Sequence, residues 1–143
     1  MLREKVESFI KDEKIRAFSE TDKSHYIIPY RWKSKNIKLT IYIDIYEQQH
    51  LFKISFKSKI KESSSYGMNE IKDSLLDLNS KLLLGTISLQ SNSNTLVYSI
   101  DYNIEEDKEI SEKTYNKYIM YCFTLYDDLI TKNIIIANGD SNE

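Results

Sequence analysis

The chain has 143 residues, 20 of them Lys or Arg and 22 Asp or Glu, which gives a formal charge of −2. Apolar residues at 41% and aromatics at 12% are enough for a core, which argues against a disordered tail or a fibrous repeat. Three glycines, one proline, one cysteine and two histidines argue against glycine-built phosphate loops, an internal disulfide, a multi-thiolate metal site and a cofactor.

Residues 1–7 are charged and no apolar run follows them, so no secretory leader is expected. The richest apolar stretch, 119–136, is interrupted by Asp127, Asp128 and Lys132, and no membrane span is expected there. The lone Cys122 fits a reducing compartment, and the expected location is cytoplasmic. Seventeen lysines against three arginines, with twenty isoleucines, point to a compositional bias that lowers the weight of lysine abundance as a signal.

In chain order, residues 2–18 place Leu2, Val6, Phe9, Ile10, Ala17 and Phe18 near one helical stripe, an amphipathic first helix. A strand is expected over 26–33, where Pro29 removes a backbone donor and suggests an edge position or a local irregularity. Residues 37–45 alternate strictly, with Ile37, Leu39, Ile41, Ile43 and Ile45 on one face. After Glu47, Gln48, Gln49 and His50 the alternation resumes with Phe52, Ile54 and Phe56 inward and Lys53, Ser55 and Lys57 outward, an antiparallel hairpin.

A second helix carries Met68, Ile71, Leu75, Leu78 and Leu82 at spacings of three and four, widened by Leu76 and closed by Gly85. Thr86–Gln90 and 95–102 are strands around a turn at 91–94. Ser111 caps a last helix reaching about Lys132, with Tyr115, Tyr118, Ile119, Cys122, Tyr126 and Leu129 on its apolar side. The expectation is a single domain over 1–143, ordered over about 2–136. It is α+β, with one antiparallel sheet of about five strands and flanking helices in the order α-β-β-β-α-β-β-α.

Charge is segregated: residues 31–61 hold eight basic and two acidic side chains, and 99–143 hold four and ten. Lys38, Lys53, Lys57 and Lys59 fall at outward strand positions near Tyr30, Trp32 and Tyr42, a pattern that single-stranded nucleic acid can use. The overall charge is slightly acidic and no arginines cluster, so nucleic acid is not the expected partner. Asp101, Asn103, Glu105, Asp107, Glu109 and Glu112 match the ligand positions of a calcium loop, but Glu106 stands where its sharp turn needs glycine. An acidic approach to the last helix, favoured by its dipole, accounts for them.

Cys122 sits on an apolar stripe with no histidine near it, and Asp127 and Asp128 point to different helix faces. His25 and His50 lack ligands at metal spacing, and no nucleophile, phosphate-loop or zinc-protease motif occurs. The chain is read as a non-enzyme, with no catalytic, cofactor or metal residues.

The run 71–81, then 85–89, then 95–98 resembles a bacterial YbjN-type domain, in which a helix ending near an asparagine (here Asn79) leads into a strand hairpin and a long closing helix. The element order is similar to the type III secretion chaperone-like fold. The resemblance implies a homodimer that holds extended or partly unfolded protein segments, with no catalytic residues. Surplus apolar surface on the second helix suits such contact. Leu75, Leu76, Leu78 and Leu82, with Trp32 and Tyr42 on the sheet, are therefore the expected partner-binding residues. The alternative reading is an immunity-type protein that blocks a toxin through its acidic segment 101–112.

Overall fold

Five extended runs with one apolar face each need a layer to cover them, and three amphipathic helices are available to supply it. The computed structural model describes residues 2–10, 16–19, 23–32, 35–61, 68–90, 94–103 and 110–136. Its elements are α1 (Leu2–Ile10), β1 (Arg16–Ser19), β2 (Lys23–Trp32), β3 (Ile37–Tyr46), β4 (Leu51–Lys59), α2 (Met68–Lys81), β5 (Thr86–Gln90), β6 (Thr95–Asn103) and α3 (Glu112–Thr131). The chain is α+β, with one antiparallel sheet and three helices whose long elements follow the expected order. Strand order is β1-β2-β3-β4-β6-β5.

The short β1 is the addition to that plan. The helix read over 2–18 stops at Ile10, and Ala17 and Phe18 lie in a strand whose residues pair with Ser24–Ile27 of β2. Pairing along an open sheet edge outweighed the local helical spacing there. Pro29 lies just beyond β1's reach, where the described part of β2 has no outer neighbour to ask it for a donor.

Period two sorts the sheet into two faces. One carries Tyr26, Ile28, Leu39, Ile41, Ile43, Ile45, Phe52, Ile54, Phe56, Leu96, Tyr98, Ile100 and Ile87, all buried, and cross-strand pairs such as Ile43–Ile54, Ile54–Ile100 and Phe56–Tyr98 tie its rows together. α3 lies against this face. Ser111 accepts a hydrogen bond from the Thr114 amide at 3.1 Å and caps it as expected. Tyr115, Tyr118, Ile119, Cys122, Phe123, Leu125, Tyr126 and Leu129 of α3 are buried. Aromatic contacts lock the layers: Phe56 meets Tyr126 edge-on at 5.7 Å, and Phe52 stacks with Tyr115 at 6.3 Å. α1 adds Val6 and Ile10 to the same core, with Phe9 against Tyr115 at 5.3 Å.

α2 is held at the other edge by one side chain. The Asn79 amide accepts from the Ile87 amide and donates to the Ile87 carbonyl, both at 2.7 Å, so it copies the hydrogen bonding of a neighbouring strand along β5. This fixes α2 to the sheet and occupies part of an edge that would otherwise be open. The link from helix to strand needs Gly85, whose φ is +83°; a Cβ there would stand 2.6 Å from the Ser99 carbonyl oxygen and 2.8 Å from the Tyr98 ring. The Tyr98 hydroxyl in turn donates to the Leu84 carbonyl at 2.7 Å.

Candidate functional site

The helix-covered face is closed, so a site must be sought on α2 and its neighbours or on the far face of the sheet. α2 sits more loosely than α3. Ile71 and Leu75 are buried, Leu78 and Leu82 are half-buried, and Leu76 and Leu83 are 67% and 83% exposed. Between α2 and the second half of α3 runs a groove in two adjoining parts of about 530 and 270 Å³, which share Leu78 and Lys132. Leu82, Leu83, Leu84, Tyr121 and Leu125 line its more apolar part. The charged groups along it are paired locally, Lys81 with Asp77 at 3.0 Å and Lys132 with Asp128 at 3.3 Å.

The other candidate is the sheet face against which no described helix lies. One row of directly opposed residues crosses four strands: His25, Asp44, Lys53 and Asp101 on β2, β3, β4 and β6. His25 and Asp44 share a hydrogen bond through Nδ1 and Oδ1, and Lys53 lies 3.8 Å from Asp101. In the adjoining row the Tyr42 ring stacks on His25 at 6.1 Å, and Lys57 sits 5.4 Å over that ring. Asp44 and Ser55 are buried although they lie on this face.

The structure places the expected partner residues unevenly. Leu78 on α2 and Leu82 just past its end line the groove, Leu76 is exposed on α2 outside the lining residues, and Leu75 is core. Tyr42 faces outward among lysines, but Trp32 turns inward, edge-on to Phe123 at 5.9 Å with Lys35 over its other side. Tyr30 also turns inward, its hydroxyl 2.6 Å from that of Tyr115. The aromatic cluster expected beside Lys38, Lys53, Lys57 and Lys59 is thus reduced to Tyr42, because Tyr30 and Trp32 share the parity of Ile28 and not that of the lysines' rows. The His25–Asp44 contact spans 19 residues, so no local spacing announces it. The hairpin register was the available signal: setting Trp32 opposite Ile37 also sets His25 opposite Asp44.

Burial pushes the Cys122 thiol far above its ordinary range, and no nucleophile is expected of it. Burial raises Tyr98 in the same sense, with Cys122 and Tyr121 adding to it. Half of the acidic segment 101–112 (104–109) lies outside the described residues; Asp101 is exposed beside Lys53 and Glu112 opens α3. Among the described residues no cluster of three or more His, Cys, Asp or Glu side chains is placed to hold a metal, and no helix is long and apolar enough to cross a membrane. No family model matches the sequence, and no curated protein or solved structure matches it significantly.

Proposed function

We propose that the chain is a non-enzymatic protein-binding module, of chaperone-like or adaptor type, that seats an apolar segment of a partner protein in the groove between α2 and α3. One observation carries the reading: Leu83, 83% exposed, stands over a groove floored by half-buried Leu78, Leu82 and Leu84. Large aliphatic side chains left in water beside an unfilled apolar trough gain about 25 cal/mol for each Å² that a partner covers. The groove's ion pairs are satisfied within the chain, so they neither demand a charged ligand nor supply a free acid or base. The element order agrees with the resemblance to YbjN-type and secretion-chaperone-like domains, which supports the same kind of role.

The test is a tagged pull-down from the native cell, with light crosslinking and mass spectrometry, run beside Leu83→Glu and Leu76→Glu. The expected result is a stoichiometric protein recovered by the parent chain and lost by Leu83→Glu, with urea midpoints unchanged. Equal recovery by parent and Leu83→Glu overturns the groove as the site. Recovery of the chain alone, as a dimer that Leu83→Glu dissociates, replaces the foreign partner with a second copy.

A further inference from the structure

Two antiparallel helices wall the groove. Ile71 and Ser74 share one end of it with Thr131 and Ile134, and Leu82 and Leu83 share the other with Tyr121 and Thr124. Both rims stand in water: Asp77, Lys81 and Leu83 on one side and Thr124, Asp128 and Lys132 on the other are all exposed. Below them half-buried Leu78, Leu82, Leu84 and Tyr121, with buried Leu125, make an apolar floor. From Tyr121 to Lys132 the α3 wall runs for about 16 Å at the helical rise.

The walls offer side chains and almost no free backbone. Within α2 and α3 the peptide groups bond along their own helices. In the link beyond α2, the Leu82 amide donates to the Asn79 carbonyl and the Leu84 carbonyl accepts from the Tyr98 hydroxyl. The strand alongside gives no ladder either, since the outward amide and carbonyl of Ile87 on β5 are taken by Asn79. An extended guest would therefore lay unpaired peptide groups against leucine and tyrosine side chains, at a cost for each one buried. A helix bonds its own peptide groups and meets such walls with side chains alone. It also brings more of them: about 16 Å of extended chain turns only two or three residues to the floor, and the same length of helix turns about four.

Charge shapes the guest further. Asp77 pairs with Lys81 at 3.0 Å and Asp128 with Lys132 at 3.3 Å, each within its own wall. Toward the Leu83 end the α2 wall runs from acid to base, and the α3 wall from Lys132 to Asp128, base to acid. A guest thus meets opposite signs on its two flanks and no net charge from these four. We infer that the occupant of the groove is an amphipathic helix of about three turns and balanced charge, supplied by a partner protein, whose aliphatic stripe packs on Leu78, Leu82 and Leu83. This rests on the groove being the partner site and adds the form of what enters it.

The experiment is fluorescence anisotropy of a labelled peptide of about twelve residues, with leucine at spacings of three and four and equal numbers of Glu and Lys between. A peptide of the same composition with leucine at every second position, an extended amphipathic pattern, runs beside it. Binding is expected for the first peptide, with little change between low and physiological salt and with added helix in the far-UV circular dichroism of the mixture. A loss of about tenfold or more is expected in Leu83→Glu and, from the opposite wall, in Thr124→Glu. Both positions are exposed, so thermal midpoints should stay within a few degrees of the parent. Preference for the alternating peptide, lost in the same two variants, keeps the groove as the partner site and overturns the helical guest. Binding of the helical peptide that both variants retain overturns the groove itself. No binding of either peptide overturns the helical guest, whatever the pull-down returns. A dimer that Leu83→Glu dissociates and neither peptide displaces puts a second copy in the groove and overturns it as well.

Discussion

Phe56 and Lys57 are neighbours in sequence and opposites in everything else. Phe56 is fully buried between Tyr98 and Tyr126, and Lys57 is exposed on the far side of the same strand over Tyr42. The difference holds along the whole sheet. One face is a continuous block of largely isoleucine, phenylalanine and tyrosine under the helices; the other is mostly charged and hydroxyl side chains, with Ile27, Leu51 and Val97 among them, and no helix against it among the described residues. The first face is where folding free energy resides, and the second is where the chain can vary or bind without unfolding. Phe56→Ala should therefore cost about 4 kcal/mol, from lost transfer energy plus the cavity left between the Tyr98 and Tyr126 rings. Lys57→Ala should cost no more than about 0.5 kcal/mol in the same urea titration. Similar costs for the two would mean that the second face is packed against something.

The same contrast can be sharpened at the edge where α2 joins the sheet. Gly85→Ala puts a side chain on a left-handed residue and drives its Cβ into the Ser99 carbonyl and the Tyr98 ring, neither of which can step aside cheaply. A loss of about 2 to 3 kcal/mol is expected from strain and displaced contacts together. Asn79→Ala strips two hydrogen bonds from the backbone of β5 and leaves the half-buried Ile87 amide without its partner, at a cost of about 2 kcal/mol. Asn79→Asp keeps the acceptor for that amide and loses the donor, so it should fall between parent and alanine. If Asn79→Ala is neutral, α2 is held by Ile71 and Leu75 alone.

These positions also show what the sequence made legible. The sheet was readable because Ile37 to Ile45 and Phe52 to Phe56 alternate without a break, and α3 because its apolar residues keep helical spacing from Tyr115 to Leu129. Ser111 was readable as a cap by its chemistry alone. β1 was not, since Arg16 to Ser19 are too few to show a period and their pairing with β2 is decided by an edge elsewhere in the chain. The candidate surfaces were half legible. Leu76 and Leu78 follow from helix spacing, and Leu82 still keeps that spacing just past the end of α2, but Leu83 and Leu84 follow it in the link, where no period reaches them. Trp32 was misplaced because aromatic character was read as exposure, when the parity of β2 already put it with Tyr26 and Ile28.

Alkaline titration tests the covered face from another side. Cys122 and Tyr98 are both pushed upward by burial, so each group holds its proton in the folded chain above the pH at which the unfolded chain releases it. Below the thiol's ordinary value of 9.0 both states are protonated and its contribution is fully present. Above it the unfolded state alone loses the proton, and stability falls by about 1.4 kcal/mol per pH unit for that group until its folded value is passed. Tyr98 joins above its ordinary value of 10.0, in the same direction. Urea unfolding between pH 8 and pH 11, roughly the window these ordinary values open, should show a steeper decline in the parent than in Cys122→Ala. Parallel declines would show that the thiol meets solvent.

The smallest expected effect belongs to the charges of the face with no described helix against it. Lys53 and Asp101 are opposed across β4 and β6, 3.8 Å apart and well exposed. Water solvates each almost as well alone, and fixing two flexible side chains costs entropy, so their coupling in a double-mutant cycle should be about 0.5 kcal/mol or less and vanish in high salt. The His25–Asp44 contact one step along the same row is more enclosed, and its cycle should give the larger coupling. If instead the Lys53–Asp101 pair proved strong and insensitive to salt, the row would be shielded from solvent, and the division of the sheet into a folding face and a free face would fail at that point. A weak, screened coupling leaves these side chains holding nothing in the fold together, and a charged face of that kind can exchange its internal partners for those of a bound segment at little cost to the native state.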